Sequence, residues 1–221
     1  MSELALPPRL ADDLAQGLAA LHVDLTAQQR QQLLAFVALL AKWNRTYNLT
    51  AIREPERMVT HHLLDALAVL PHLPQRAGLR VLDVGAGGGI PGIPLAIARP
   101  DWHVTLVDAV HKKVAFIQQA AIELGLHNVR AEAVRVEALG REAPFDVVIS
   151  RAFADIATFA ATSARHVAPD GLLVAMKGVH PHEELAEVPA TLRVVATHAL
   201  VVPGLDAARH LVVMQHNVEP Q

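Results

Sequence analysis

The chain contains no cysteine, and this absence excludes disulfide bonds, thiolate catalysis and cysteine-ligated zinc sites. Aromatic residues make up only 4% of the 221 residues, and no apolar run reaches the roughly 18 residues that a membrane span requires. The formal net charge is -3, so a nucleic acid could be bound only through a local basic patch. The amino-terminal stretch lacks the basic-then-apolar order of a secretory signal, and we therefore expect a cytoplasmic protein that makes no membrane contact.

Hydrophobic residues, by contrast, make up 52% of the chain, which excludes a disordered protein. Apolar residues in the first third recur at spacings close to three and four, which predicts helices. Short apolar runs then alternate with helical patterns, and residues 193–202 and 210–216 form two final strands separated by turn residues. We therefore predict a Rossmann-like, doubly wound, seven-stranded α/β domain over residues 76–221, with an antiparallel C-terminal hairpin and an N-terminal helical extension over residues 1–75.

Residues 80–99 have the pattern of a buried strand, a glycine-rich turn and a helix, with the sequence RVLDVGAGGGIPGIPLAIAR. Glycine lets the backbone turn sharply and approach a ligand closely. A dinucleotide fingerprint that began at Gly85 would need glycine where Ile90 stands, which disfavours a nicotinamide-dependent dehydrogenase. The remaining pattern, D-x-G-x-G-x-G from Asp83 to Gly89, resembles the first motif of S-adenosylmethionine (AdoMet) dependent methyltransferases.

A second signal is Asp108, which ends the next apolar strand about 20 residues beyond the glycines, where a carboxylate can bond ribose hydroxyls. A tight turn followed by a helix cap would explain the same residues without a ligand. Parallel strands present their carboxyl ends at one rim, where open α/β sheets bind ligands. The residues predicted to gather at that rim are Asp83, Gly85, Asp108, Ser150, Arg151 and Lys177.

Polar and aromatic residues also cluster before the sheet begins. Basic groups beside aromatic rings suit phosphate contact and base stacking, although a solvated helix face with two core aromatics is equally compatible. The cluster comprises Lys42, Trp43, Arg45, Tyr47, Asn48, Arg53 and Arg57. His62 and Asp65 stand three residues apart, so they share a helix face and can meet the same neighbour. No cluster has metal-ligand spacing, and we expect no metal site.

Several longer stretches resemble one family in their order and spacing. They are KWNRTYNLT, HHLLDA, DVGAGGGIPGIPL, FIQQAAIELGLHNV, RVEAL, FDVVISRAFA, MKG and RHLVV, and they run from about residue 20 to residue 213. They are similar to the RsmG family, the small-subunit ribosomal RNA methyltransferases G, also called glucose-inhibited division protein B. The resemblance implies AdoMet-dependent methylation of N7 of guanosine 527 in 16S ribosomal RNA.

The family's AdoMet contacts, transferred position by position, fall on compatible residues, namely Gly85, Ile90, Val136, Glu137 and Arg151. Two positions depart from the usual pattern. Ala109 stands where serine usually follows the acid of the second strand, and Ala208 replaces a glutamate before RHLVV. We expect the first change to weaken a polar contact near the ribose and the second to loosen a pair with Arg209.

Residues and resemblance together give a hypothesis for the site. The backbone of Gly85 to Gly89, which includes Gly87, approaches the methionine part of AdoMet, and Asp108 binds the ribose. Val136 and Glu137 border the adenine, and Arg151 lies between cofactor and RNA. The candidates for the target-base pocket are Asn48, His62, Asp65 and Lys177, and those for phosphate contact are Arg45, Arg53 and Arg209.

The chemistry implied by the resemblance needs few catalytic groups. Guanine N7 carries a lone pair and no proton, so it requires no general base.

The low net charge favours 16S RNA already folded within a 30S subunit or late precursor as the partner. Two alternatives stay open, because a fold does not determine a substrate: a small-molecule methyltransferase, and an AdoMet-binding factor in ribosome assembly.

Overall fold

The computed structural model describes residues 6–140, 143–151, 153 and 155–217, so the ends of the predicted extension and domain lie outside the described residues. The centre of the fold is one seven-stranded sheet in the order β3-β2-β1-β4-β5-β7-β6. Its strands are β1 (Arg80–Val84), β2 (His103–Val107), β3 (Val129–Glu132), β4 (Phe145–Ser150), β5 (Val167–Lys177), β6 (Leu192–Leu200) and β7 (Arg209–His216). Strands β1 to β5 pair in parallel, and β7 runs antiparallel to both β5 and β6. The predicted fold class is confirmed.

The strand order also locates the edge at which a ligand can bind. Sequence order reverses between β1 and β4, and open α/β sheets bind ligands beyond the carboxyl ends of the strands at such a switch point. The hairpin reaches the same edge, because Lys177 at the end of β5 pairs with His210, and Leu200 at the end of β6 pairs with Arg209. This edge is called the rim below.

Helices cover the sheet and the rim. They are α1 (Arg9–Ala20), α2 (Ala27–Tyr47), α3 (Pro55–Met58), α4 (Asp65–Leu67), α5 (Gly92–Ala98), α6 (His111–Glu123), α7 (Ile156–Ser163) and α8 (His182–Leu185). A π-helical stretch, Val59–Leu64, joins α3 to α4, and 3-10 turns cover Leu70–His72, Val136–Ala138 and Ala164–His166. None of the described helices has both the length and the apolar composition needed to cross a bilayer.

Side chains of α2 attach the N-terminal helices to those of the sheet. Gln29 donates through Nε2 to the last carbonyls of α5, Ile97 at 2.9 Å and Ala98 at 3.0 Å. Gln32 donates through Nε2 to the carbonyl of Leu124, at the end of α6, at 2.9 Å. The last carbonyls of a helix have no partner within it, so these bonds satisfy groups that would otherwise need water. α2 therefore packs as a second layer over α5 and α6.

The two faces of the sheet bury different clusters. Along β1, Val81 belongs to the larger cluster, which contains the side chains of α1, α2, α5 and α6. Leu82 and Val84 face the smaller cluster, which contains Phe159 of α7. The alternation follows from the two-residue period of a strand. Both faces are apolar, as a parallel sheet covered on both sides requires.

Element bounds differ from the prediction chiefly at one place. The sequence predicts a helix over 155–167 and a strand over 172–177, whereas α7 ends at Ser163 and β5 begins at Val167. The strand starts early because Val167 pairs with Phe145, at the beginning of β4, before a shift in register at Val147. The other predicted strands in the 129–216 region agree with the observed bounds to within two residues.

Candidate active site

The glycine-rich turn leaves the end of β1 through residues in left-handed conformations. Gly85, Gly87 and Gly89 have φ angles of +69°, +58° and +79°, which side chains other than glycine rarely adopt. A Cβ atom added to Gly85 would have nothing within 4 Å, so this glycine borders open space. A Cβ atom added to Gly92 would lie 2.5 Å from Leu106, so that glycine is required by packing.

Asp83 lies beneath the turn and is fully buried. Its Oδ2 accepts a hydrogen bond from the backbone N–H of Gly92 at 2.8 Å, whereas Oδ1 has no hydrogen-bond partner in the described structure. Burial raises the pKa of Asp83 to about 7, although the Gly92 N–H and the charge of Arg151 oppose the shift. Asp83 therefore holds a buried oxygen without a hydrogen-bond partner beneath the glycine turn.

One cavity, here called the glycine-loop cavity, opens at the ends of β1 and β2 and has a volume of about 350 Å³. Its walls combine backbone, small apolar side chains and a few polar groups. They are formed by Val84, Gly85, Val107, Asp108, Ala109, Val134, Arg135, Val136, Glu137, Phe153, Thr158 and Thr162. Four of the seven predicted cofactor residues line it, namely Gly85, Asp108, Val136 and Glu137.

The carboxylate of Asp108 both lines this cavity and organises the turn beside it. Oδ2 accepts from the backbone N–H of Gly87 at 2.9 Å, and Oδ1 accepts from that of Val110 at 2.9 Å. Lys113 lies 3.5 Å from Oδ2. Asp108 is not the N-cap of α6, because that position is Val110 and has no side-chain cap. The carboxylate of Asp108 instead bonds the backbone on either side of the cavity that it lines.

A second cavity, here called the arginine pocket, lies farther along the rim and has a volume of about 370 Å³. It is lined by Asp65, Arg151, Met176, Lys177, Gly178 and Arg209. The carboxylate of Asp65 is buried between two arginines: Oδ1 accepts from Arg209 Nε at 2.8 Å and Oδ2 from Arg151 Nη1 at 3.4 Å. Arg209, whose usual glutamate neighbour is replaced by Ala208, therefore has a carboxylate partner from the N-terminal helices.

Lys177 enters the arginine pocket from the end of β5. Its Nζ lies 2.8 Å from Glu184 Oε2 of α8. The same oxygen accepts from the backbone N–H of Ile156 at 2.9 Å, so Glu184 connects the start of α7 to the pocket. Glu184 therefore fixes the position of the Lys177 side chain at the pocket.

His62 lies behind the arginine pocket and lines neither cavity; its exposed fraction is 3%. Nε2 lies 2.9 Å from the hydroxyl of Thr50, and Nδ1 lies 3.3 Å from Arg151 Nη1. Burial, and then the charge of Arg151, lower the pKa of His62 to about 4. His62 and Asp65 meet the same neighbour, Arg151, as their spacing predicts, and His62 is neutral near pH 7.

The remaining candidates lie apart from both cavities. Ile90 is buried in the larger core cluster, and Gly87 contributes a backbone N–H to Asp108. Asn48, Arg45 and Arg53 are exposed at the end of α2 and on the segment after it. That segment adjoins the glycine turn, because a Cβ atom at Gly88 would lie 3.7 Å from the Leu49 carbonyl oxygen.

Sequence reasoning missed three residues that shape the rim. Thr50 bonds His62, Phe153 lines the glycine-loop cavity and Glu184 pairs with Lys177. Phe153 lies inside the SRAFA motif, so its motif could have indicated it. No comparable signal points to Thr50 or Glu184, because their partners lie on other elements.

The first two backbone N–H groups of α5 are bonded within the protein and are not available to a ligand. The N–H of Gly92 is bonded to Asp83, and that of Ile93 to the Gly89 carbonyl at 2.8 Å.

Among the described residues, no group of three or more histidine and acidic side chains is arranged to hold a metal ion. A further cavity of about 560 Å³, between α2, α5 and the segment before β3, has no lysine, arginine or carboxylate in its lining.

Comparison with known sequences identifies the family. The family described as GidB, rRNA small subunit methyltransferase G, matches residues 29–212. The ribosomal RNA small subunit methyltransferase G of Nitrosospira multiformis is 51% identical over 212 residues, which are 93% of this chain and 97% of that protein. That of Burkholderia ambifaria is 55% identical over 203 residues, 90% of this chain and 89% of that protein.

Solved structures share the fold at low sequence identity. TrmN from Thermus thermophilus superposes with a TM-score of 0.58 and 20% identity, covering 69% of this chain and 48% of that chain. The glycopeptide N-methyltransferase MtfA in complex with AdoMet gives a TM-score of 0.57 at 14% identity, covering 71% and 95%. These likenesses confirm the predicted methyltransferase fold, and the chain belongs to the rRNA small subunit methyltransferase G family.

Proposed function

We propose that this protein transfers the methyl group of AdoMet to N7 of guanosine 527 in 16S ribosomal RNA. The observation that carries the proposal is the pairing of two unlike cavities on one rim. The glycine-loop cavity is mainly apolar with carboxylates at its edge. The arginine pocket presents three cations, which pair with the buried Asp65 and the partly exposed Glu184. The two are joined by the segment that follows β4, which places Arg151 in one lining and Phe153 in the other.

The residues at the glycine-loop cavity fit AdoMet. Gly85 leaves open space where any side chain would project, and Val136 offers an apolar surface suited to a purine ring. The carboxylates of Asp108 and Glu137 suit hydroxyl and amino donors, and Asp83 holds an unpaired oxygen beside the turn. When bound, AdoMet supplies an electrophilic methyl group on a positively charged sulfur.

The arginine pocket supports a mechanism that depends on positioning. Guanine N7 has a lone pair and no proton to remove, so no side chain has to act as a base. Lys177 is paired with Glu184, and Arg151 and Arg209 are fixed by Asp65, so each cation is already oriented. Holding an acceptor in line with a reactive carbon contributes up to about 7 to 11 kcal/mol to lowering a barrier.

Charge distribution supports RNA in a folded particle as the substrate. The net charge of -3 gives no general attraction to RNA, whereas Arg45 and Arg53 are exposed at the end of α2 and on the segment after it. Phosphate contact through a few arginines is weak and salt-sensitive unless the RNA presents its phosphates in a fixed arrangement. The substrate is therefore 16S RNA within a 30S subunit or late precursor, in the cytoplasm.

The test uses labelled AdoMet with three substrates: 30S subunits from cells that lack the enzyme, protein-free 16S RNA, and a metabolite extract. We expect label in the 30S sample, with a stop at guanosine 527 after cleavage of the N7-methylated site and primer extension. Label in the metabolites alone would identify a small-molecule methyltransferase. Tight AdoMet binding with no transfer to any substrate would identify an AdoMet-binding assembly factor. Equal labelling of protein-free 16S RNA would contradict the proposal that the substrate is RNA folded within a 30S subunit or late precursor.

A further inference from the structure

Arg151 is held from behind by the N-terminal helices. Its Nη1 lies 2.9 Å from the carbonyl oxygen of His61, 3.3 Å from Nδ1 of His62 and 3.4 Å from Oδ2 of Asp65. All three acceptors come from one stretch of chain, and Arg151 lies some 90 residues away in sequence. A guanidinium held by several acceptors loses its freedom to choose other rotamers.

Two contacts compete for Nδ1 of His62. The carbonyl oxygen of His61 lies 3.0 Å away and can only accept, whereas Nη1 of Arg151 lies 3.3 Å away and can only donate. The His61 carbonyl already accepts from Arg151 at 2.9 Å, and a proton on Nδ1 would face the N–H groups of the guanidinium, so we assign Nδ1 as the acceptor from Arg151. A neutral imidazole then carries its proton on Nε2, which donates to the Thr50 hydroxyl 2.9 Å away. Burial and the charge of Arg151 oppose protonation of the ring, whereas the hydrogen bond to the His61 carbonyl favours it.

Thr50 is itself fixed by the backbone around it. Its hydroxyl accepts from the backbone N–H of Ile52 at 3.2 Å, and its own N–H donates to Asn44 Oδ1 at 2.9 Å. Asn44 is buried in α2 and also donates to the Ile52 carbonyl at 3.1 Å. A continuous chain of hydrogen bonds therefore leads from α2 through Thr50 and His62 to Arg151.

We propose that His62 is a positioning residue for methyl transfer: with Thr50 behind it, its Nδ1 sets the orientation of Arg151 at the arginine pocket. This inference rests on the proposed function, because the reaction at that pocket is the one that Arg151 serves. His62 does not touch the substrate, since it lines neither cavity. The same contacts couple the exposed segment that carries Asn48 and Arg53 to the pocket.

Two substitutions at His62 separate positioning from bulk packing. His62→Asn keeps an acceptor at the distance of Nδ1 and loses the bond to Thr50. His62→Gln extends its amide to the position of Nε2 and leaves Arg151 without that acceptor. Both are neutral and polar, and His127→Gln, at an exposed site before β3, controls for the loss of a histidine.

We expect His62→Gln to lower kcat for 30S methylation by about 100-fold, because a small misplacement of a positioned group has effects of that size. The Kd for AdoMet should stay within about twofold, since His62 lies outside the glycine-loop cavity. His62→Asn should recover at least about a tenth of the wild-type kcat, and His127→Gln all of it. Thermal unfolding of each variant verifies that the assayed protein is folded.

Two substitutions of Thr50 test the hydrogen bond between Thr50 and His62. Thr50→Val removes the hydroxyl at nearly constant volume, and Thr50→Ser keeps it. The valine variant should lower kcat and add little to the effect of His62→Gln, whereas the serine variant should behave as wild type. In 15N spectra of wild type, Nδ1 of His62 should resonate as an unprotonated nitrogen.

Three results would overturn the inference. They are a proton on Nδ1, equal kcat for wild type and His62→Gln, and equal losses in the asparagine and glutamine variants. Failure of the proposed function gives a different result, because wild type would then methylate no 30S subunits. In that case the positioning role in methyl transfer also falls.

Discussion

The two cavities at the rim are built in different ways. The glycine-loop cavity is lined by the turn after β1, the end of β2 and the 3-10 turn Val136–Ala138. The arginine pocket is lined by side chains from α4, the segment after β4, the end of β5 and the start of β7. The fold itself supplies the first cavity, whereas the second exists only through specific pairs such as Asp65 with Arg209, which are 144 residues apart.

The largest effect should come from closing the first cavity. Gly85→Val would place a branched side chain at φ +69°, in space that is now open, so AdoMet binding should fall below detection, a loss of more than about 1,000-fold. Isothermal titration calorimetry measures the Kd. Gly78→Val is the matched control, because Gly78 has a similar φ of +72° and also borders open space, but it lies before β1. Unchanged affinity at Gly85 would remove AdoMet from this cavity.

A second test uses pH, because Asp83, beneath the glycine turn, and His62, behind the arginine pocket, have pKa values shifted in opposite directions. The pKa of Asp83 is raised to about 7, so the stability that it contributes is full at low pH and is lost as pH rises from about 4 to 7. The pKa of His62 is lowered to about 4, so its contribution is present above about pH 6.5 and is lost as pH falls towards 4. The full contribution is roughly 4 kcal/mol for Asp83 and roughly 3 kcal/mol for His62.

Urea unfolding from pH 4 to pH 8 measures the two contributions separately. Subtracting the curve of Asp83→Asn from that of wild type should give a difference that falls with pH, and the same subtraction for His62→Gln should give one that rises. Parallel curves for wild type and either variant would contradict the assignment for that residue.

The third prediction concerns the carboxylate between the arginines. Asp65→Asn leaves Arg151 and Arg209 without a common counter-charge, which should cost about 2 kcal/mol of unfolding free energy. The value is below that for a fully buried pair, because the side chains of the arginines remain 26% and 23% exposed. The kcat for 30S methylation should fall, because the two arginines are no longer held in place. The Kd for AdoMet should stay nearly unchanged. Glu56→Gln, which breaks an exposed pair with Arg9, should leave both properties unaltered.

The smallest effect should come from adding one polar group at the first cavity. Ala109→Ser adds a hydroxyl to the lining of the glycine-loop cavity. One net hydrogen bond contributes about 0.5 to 1.5 kcal/mol, so the Kd for AdoMet should fall by about two- to tenfold. Ala199→Ser, on an exposed position of β6, provides the baseline. Equal Kd values for AdoMet in the two variants would show that residue 109 does not contact AdoMet.

The sequence predicts the glycine-loop cavity better than it predicts the arginine pocket. The direction of the parallel strands alone predicts which residues lie at the rim. This prediction does not depend on side-chain contacts, and it covers Gly85, Asp108, Arg151 and Lys177. The position of His62 behind Arg151 could not be derived, because it depends on how the helices over 55–67 pack against the end of β4. Sequence spacing indicates that His62 and Asp65 share a neighbour, but it does not identify that neighbour.

The early start of β5 has a similar cause. Val167 becomes a strand residue because Phe145 pairs with it, and this pairing is a property of the neighbouring strand. The burial of Ile90, a predicted cofactor contact, likewise results from the path of the turn into the larger core cluster.

The position of β7 between β5 and β6 has a consequence for synthesis of the protein on the ribosome. β6 leaves the exit tunnel first, yet it has no hydrogen-bonding partner in the sheet until β7 follows and is inserted beside β5. Arg209, at the start of β7, therefore reaches Asp65 only after all the other residues of the arginine pocket have been made. The glycine-loop cavity can form on a growing chain, but the pocket beside it is completed last.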